Sequence, residues 1–148
     1  MSTGNAPTVT TAQRLARIPV REAMQLGLFS CSPEDPIDAV ARTMAEQAIH
    51  CVVVAGIARR DHGGERLGWG IVSDLDLMAA LDPDTDAATA GEIAGSEIVT
   101  VSPRDPLALA ARLMATHQTA HLVVVSPETG RPVGMLSTLD VARAADRA

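Results

Sequence analysis

The stretch SPRDPLALAARLMA, residues 102–115, decides the fold because it is written a second time as SPEDPIDAVARTMA, residues 32–45. The serine, Pro33, Asp35, Pro36, Ala41, Arg42, Met44 and Ala45 all return 70 positions later. Working outward, HCVVV at 50–54 aligns with HLVVV at 121–125 at an offset of 71, and GIVSDLD at 70–76 with GMLSTLD at 134–140 at an offset of 64. On that alignment the hairpin after Val54 is seven residues longer than the one after Val125. Three blocks in one order identify a tandem duplication.

Each copy carries the same local signals. Asp35 and Asp105 are predicted as N-caps, with Pro36 and Pro106 at the first helical position, where a missing N–H costs nothing. The helix that follows places Ile37, Val40, Ala41 and Met44 on one face, matched by Leu107, Ala110, Ala111 and Met114. A continuous apolar run, CVVVA or LVVVS, then reads as a buried strand. A polar turn, ARRDHGGER in one copy and PETGRP in the other, leads to a second strand, WGIV or VGML. A closing helix starts at Ser73 or Ser137, its apolar face predicted from Leu75, Met78 and Ala79, and from Leu139 with residues 141–145. At roughly 60 residues neither copy buries enough surface to be comfortable alone. The expected fold is therefore α+β: two tandem β-α-β-β-α repeats packed pseudo-symmetrically through their sheets. The predicted organisation is a lead-in over 1–17, a first repeat over 18–84 and a second over 85–148.

Composition narrows the function. The net charge is −6, the basic residues are all arginine, and there is one Phe, one Trp and no Tyr. With neither a basic stripe nor aromatics for bases to stack on, nucleic-acid binding is not expected. No run of 18 apolar residues and no apolar leader stretch occurs, so no membrane association is expected and a soluble, cytoplasmic protein is. Cys31 and Cys51 lack CxxC spacing and read as small buried hydrophobes in a reducing compartment.

The repeated Ser-x-x-Asp, Ser73 with Asp76 and Ser137 with Asp140, admits two readings. It has the spacing of a capping box, in which the serine satisfies a helix amide and the aspartate answers the serine's own N–H. Alternatively, an aspartate at a strand-to-helix junction can accept hydrogen bonds from a ribose diol, while the hydroxyl and free amides hold a phosphate.

The duplicated repeat, the TVSPxDP opening at residues 100–106 and the G-h-h-S-x-x-D ending of both copies together resemble a pair of cystathionine beta-synthase (CBS) domains, a Bateman module. The preludes PVREAM, residues 19–24, and TAGEIA, residues 89–94, fit the short helix that opens each domain in that family. The resemblance covers about residues 18–146 and implies a regulatory module binding AMP, ADP or ATP, or S-adenosylmethionine, in clefts between the repeats. It implies ligand contacts from Ser73, Asp76, Ser137 and Asp140. Phe29 and Ser30, and Val99 and Thr100, would line the adenine slots, and His50 and His121 would stand beside them. Val52 and Val123 stand where the family often has proline, a departure that alters only the local backbone; Ser30 stands where threonine is commoner and Phe29 is expected to fill the first adenine slot itself, so the second copy is expected to be the better ligand site. The resemblance also implies a homodimer and signalling, by a shift in conformation, to an effector protein on another chain that nothing here names. The rival reading is a ligand-free module in which the helices only mediate assembly.

Other features are weaker. Of His50, His62, His117 and His121, only the last two have helical spacing, and His121 falls at a predicted strand, so no metal site is expected. Arg143, three past Asp140, is either a phosphate contact or a solvated charge. There is no GxSxG elbow, P-loop or GxGxxG, and no catalytic residues or required cofactor are expected.

Overall fold

The computed structural model describes residues 8–61, 64–95 and 98–147, with the side chains of 58–67 and 147 left aside. After a short helix α1 (Thr11–Leu15) and a 3-10 turn (Val20–Glu22), the chain forms β1 (Ser30–Cys31), α2 (Ile37–Gln47), β2 (Cys51–Asp61), β3 (Gly64–Ser73) and α3 (Asp74–Ala80). It repeats the series as α4 (Ala90–Ile93), β4 (Thr100–Val101), α5 (Leu107–His117), β5 (His121–Val125), β6 (Pro132–Ser137) and α6 (Thr138–Arg147). The α+β expectation holds: there are two three-stranded sheets, ordered β1-β2-β3 and β4-β5-β6, each with a parallel first pair and an antiparallel second pair.

Strand register corrects the alignment read from the valine runs. Ser30 pairs with Val53 and Thr100 with Val123, while Cys51 pairs with Ser73 and His121 with Ser137. The offset of 70 therefore continues through the valine strand, so His121 corresponds to Cys51 and His50 to Ala120. Likeness of composition had aligned the two histidines; pairing to the serine that ends each sheet separates them. The first hairpin is also not a loose turn. Its ladder continues past a bulge at Gly56, which has φ +82°, to the Asp61–Gly64 pair. Pairing the backbone groups across a ribbon satisfies them without a long loop. His62 lies outside the described residues.

The helix starts also differ from expectation. Pro36 and Pro106 are the N-caps themselves, extended at ψ 151° and 148°. Asp35 instead accepts the Ser32 N–H at 3.1 Å, and Asp105 the Ser102 N–H at 2.8 Å, each closing the turn before its helix. The first helical amides are satisfied from elsewhere: Ile37 donates to the Ala88 carbonyl at 3.1 Å and Leu107 to the Ile18 carbonyl at 2.8 Å. An orphan donor at a helix start needs such a partner.

Those two bonds reveal the packing. The prelude at 18–25 docks on the second copy, and the matching prelude at 88–95 docks on the first. Val20 N–H donates to Asp105 and Ala90 N–H to Asp35, both at 2.8 Å. The compact units accordingly exchange the sequence preludes: the chain up to Leu26 packs with the chain from Val99 onward, and Gly27–Ile98 form the other unit. One core gathers Leu15, Val20, Leu107, Met114, Leu122, Val124 and Leu136; the other gathers Val40, Met44, Val52, Val54, Val72, Leu77 and Ala90.

The α2 and α5 faces are those expected, with Val40 and Met44, and Leu107, Ala110 and Met114, buried. The α3 face is not. Leu77 and Ala80 are buried while Leu75, Met78 and Ala79 are exposed, Leu75 to 77%. On α6 the expected stripe splits: Val141 and Ala144 are buried, whereas Leu139 is exposed. With apolar side chains on two stripes of α3, periodicity cannot choose between them; packing of Leu77 into the core with Val52, Val54 and Val72 decides.

Candidate functional site

Each sheet delivers its last strand directly into a helix, and the two Ser-x-x-Asp motifs stand at those junctions. In the first, Ser73 is the N-cap of α3. Its hydroxyl accepts the Asp76 N–H at 3.1 Å, and Asp76 Oδ2 accepts both the Ser73 N–H and the Ser73 hydroxyl at 2.9 Å. In the second, Ser137 Oγ accepts the Asp140 N–H at 3.2 Å and Asp140 Oδ2 accepts the Ser137 N–H at 2.8 Å. The capping box is thus formed in both copies, with aspartate in the role that Glu or Gln usually takes.

The two carboxylates differ in what remains. Asp140 is 5% exposed, and its Oδ1 accepts a hydrogen bond from Gln25 Nε2 at 2.9 Å. Asp76 is half-buried, and its Oδ1 accepts no hydrogen bond among the described residues. Gln25 is the residue that the sequence reading missed. Its signal was available in the prelude repeat, where the residue 70 positions on is Gly95.

The surrounding residues fall as follows. Phe29 is exposed and its carbonyl accepts the Val53 N–H at 2.9 Å, while Ser30 is an exposed residue of β1. The matching Val99 carbonyl accepts the Val123 N–H at 3.1 Å, and Thr100 is exposed on β4. Phe29 with Ser30 and Val99 with Thr100 therefore occupy equivalent places in the two units. His50 lies just before β2, where its Nδ1 meets Asp74 Oδ2 at 3.2 Å and its carbonyl accepts the Asp74 N–H at 2.8 Å. His121 is the half-buried first residue of β5, its N–H donating to Thr119 Oγ1 at 3.4 Å. The two histidines thus stand in different environments. Arg143 is exposed on α6.

Cys51, buried at the start of β2, has its thiol pushed up from 9.0 to about 11, first by desolvation and then by the Asp74 carboxylate. The half-buried Cys31 is raised as well, again by burial first and then by Asp35. A thiol held neutral is a poor nucleophile and metal ligand. Among the described residues no three His, Cys, Asp or Glu side chains converge as a metal site would require, and no helix is long and apolar enough to cross a membrane. A separate open groove of about 440 Å³ lies along α5 and α6, lined by Ala111, Met114, Ala115, Gln118, Thr119, Ala120, Thr138 and Val141.

The CBS domain family matches this chain twice, over residues 20–83 and 90–147. Hypoxic response protein 1 of Mycobacterium tuberculosis is 30% identical over 128 residues, spanning 83% of this chain and 82% of that protein. Among solved structures, the CBS domain protein PAE2072 from Pyrobaculum aerophilum, complexed with AMP, is 27% identical with a TM-score of 0.68, covering 88% of this chain and 100% of that one. A crystal structure of Hypoxic Response Protein I with two coordinated zinc ions is 27% identical with a TM-score of 0.61, covering 85% of this chain and 98% of that one.

Proposed function

The chain belongs to the CBS domain family, carrying two such domains in tandem, and from that premise we propose that it is a non-catalytic regulatory module that binds an adenine nucleotide. The observation that carries the reading is the Oδ1 of Asp76, a half-buried carboxylate oxygen in the first turn of α3 that accepts no hydrogen bond among the described residues. It supplies an acceptor for a ribose hydroxyl, and the exposed Phe29 and Ser30 belong to the same unit. The AMP bound by PAE2072 supports this class of ligand for a relative of the same architecture.

Occupancy is read out as a population shift: a ligand that prefers one conformation of the module draws the equilibrium toward it, to the extent of its differential affinity. An apolar stripe of Leu75, Met78 and Leu81 on and just after α3 is exposed and supports self-association as a homodimer. The zinc ions in Hypoxic Response Protein I belong to that protein, and no metal is proposed here.

The test is thermal melting of the protein with AMP, ADP, ATP and S-adenosylmethionine in turn. A ligand at 100 times its Kd adds about 2.7 kcal/mol, which raises Tm by roughly 5 °C for a chain of this size. A shift confined to S-adenosylmethionine replaces the nucleotide with that ligand. No shift with any of the four returns the module to a role in assembly alone.

A further inference from the structure

Two sites that arose by duplication start out alike, and here a residue of the prelude sets their carboxylates apart. The preludes superpose in sequence at the same offset of 70 that relates the helices, so Gln25 matches Gly95. The structure bears this out in the backbone: Gln25 forms an antiparallel bridge to Met135, and Gly95 forms the same bridge to Ile71, the corresponding residue of the other sheet. Both positions therefore deliver their side chain, if they have one, to the carboxylate of the closing helix. Gln25 does so, and its Nε2 donates to Asp140 Oδ1 at 2.9 Å. Gly95 has nothing to deliver. A Cβ built there would stand 3.4 and 3.7 Å from the two oxygens of Asp76, ordinary contact distances, so the space is aimed at the carboxylate and a side chain would fit it.

Resting on the nucleotide reading above, we propose that Gln25 decides which of the two sites accepts ligand: it occupies Asp140 in place of a ribose hydroxyl, while glycine at position 95 leaves Asp76 open. An amide N–H and a sugar O–H are both single donors to a carboxylate, and a buried oxygen that already accepts one from its own chain has little to gain from another. Ligand at Asp140 must first displace Gln25 and leave its amide without that partner. Loss of one charge-assisted hydrogen bond of this kind weakens binding by about tenfold or more. This reverses the ranking drawn from sequence, which favoured the second copy because Ser30 replaces threonine and Phe29 fills the slot in the first.

The experiment is isothermal titration of the dialysed full chain with AMP, run on the wild type, on Gln25→Ala and Gln25→Gly, and on Gly95→Gln. A circular dichroism melt of each variant confirms that it folds. The expected result is one tight equivalent per wild-type chain. Either Gln25 variant gains a second equivalent, and Gly95→Gln loses about tenfold or more at the first. Two equal equivalents on the wild type, no second equivalent on both Gln25 variants, or unchanged affinity in Gly95→Gln overturns the selection while leaving nucleotide binding in place. No binding by any of the four proteins overturns both.

Discussion

The carbonyl oxygen of Gln25 lies 2.7 Å from the point where a Cβ on Gly134 would stand. The approach is this close because the prelude and β6 exchange hydrogen bonds around it, Gln25 N–H donating to Met135 at 2.8 Å and Met135 N–H donating to Gln25 at 3.0 Å. A methyl group there has to push the prelude off the sheet. Gly134→Ala should therefore cost about 1–3 kcal/mol, the usual cost of overpacking. Urea denaturation measures it, and a loss below about 0.5 kcal/mol would show that the prelude yields freely.

Burial separates two leucines that look alike in sequence. Leu107 is fully buried at the start of α5, in one core with Val20 of the prelude, whereas Leu139 is exposed on α6. Leu107→Ala should destabilise by about 2–5 kcal/mol, and Leu139→Ala by no more than about 0.5 kcal/mol. Comparable losses from both would contradict the described packing of α6.

Helices α2 and α5 both end on a left-handed residue that is not glycine, Ala48 at φ 53° and Gln118 at φ 50°. For an L residue that conformation costs about 1–2 kcal/mol, which glycine avoids while losing more chain entropy on folding. Ala48→Gly and Gln118→Gly should each stabilise by about 0.5–1 kcal/mol, read as a rise in the denaturation midpoint. A fall at both positions would place these ends outside the left-handed region.

The Cys51 thiol, raised by burial from 9.0 to about 11, links stability to alkaline pH. The folded state holds this proton more tightly than the unfolded chain, so the contribution is complete below pH 9 and is lost as pH rises through about 11. A proton held that much more firmly is worth roughly 2–3 kcal/mol. Denaturation curves across that window should weaken in the wild type and weaken less in Cys51→Ala. Native Cys51 should also react with iodoacetamide far more slowly than it does in urea.

Each Ser-x-x-Asp motif also caps a helix. Ser73→Ala removes the acceptor of the Asp76 N–H at 3.1 Å and should cost about 0.5–2 kcal/mol, as N-cap losses do. A neutral result would mean that α3 is held by its packing alone.

Much of this was legible because the sequence is repetitive. The duplicated SPxDP and G-h-h-S-x-x-D blocks gave the α+β repeat, the helix faces of α2 and α5, and the serine–aspartate spacing that the structure realises as a pair of capping boxes. The capping half of the Ser73 and Asp76 reading needed only residues three apart, so reading residues in order sufficed for it.

What the chain could not state was which distant segments meet. Matching the valine runs by composition aligned His50 with His121, and only the pairing of Cys51 with Ser73 and of His121 with Ser137 shows that they do not correspond. Periodicity offered two stripes on α3, and the burial of Leu77 beneath the sheet chose one. Above all, the repeated blocks specified two copies of one Ser-x-x-Asp motif, each with its aspartate. The Gln25-for-Gly95 difference is written in the preludes, but which carboxylate it reaches was decided by the tertiary structure, because a prelude docks on the repeat it does not adjoin in sequence and carries Gln25 to Asp140, 115 positions away, where local pattern has no reach.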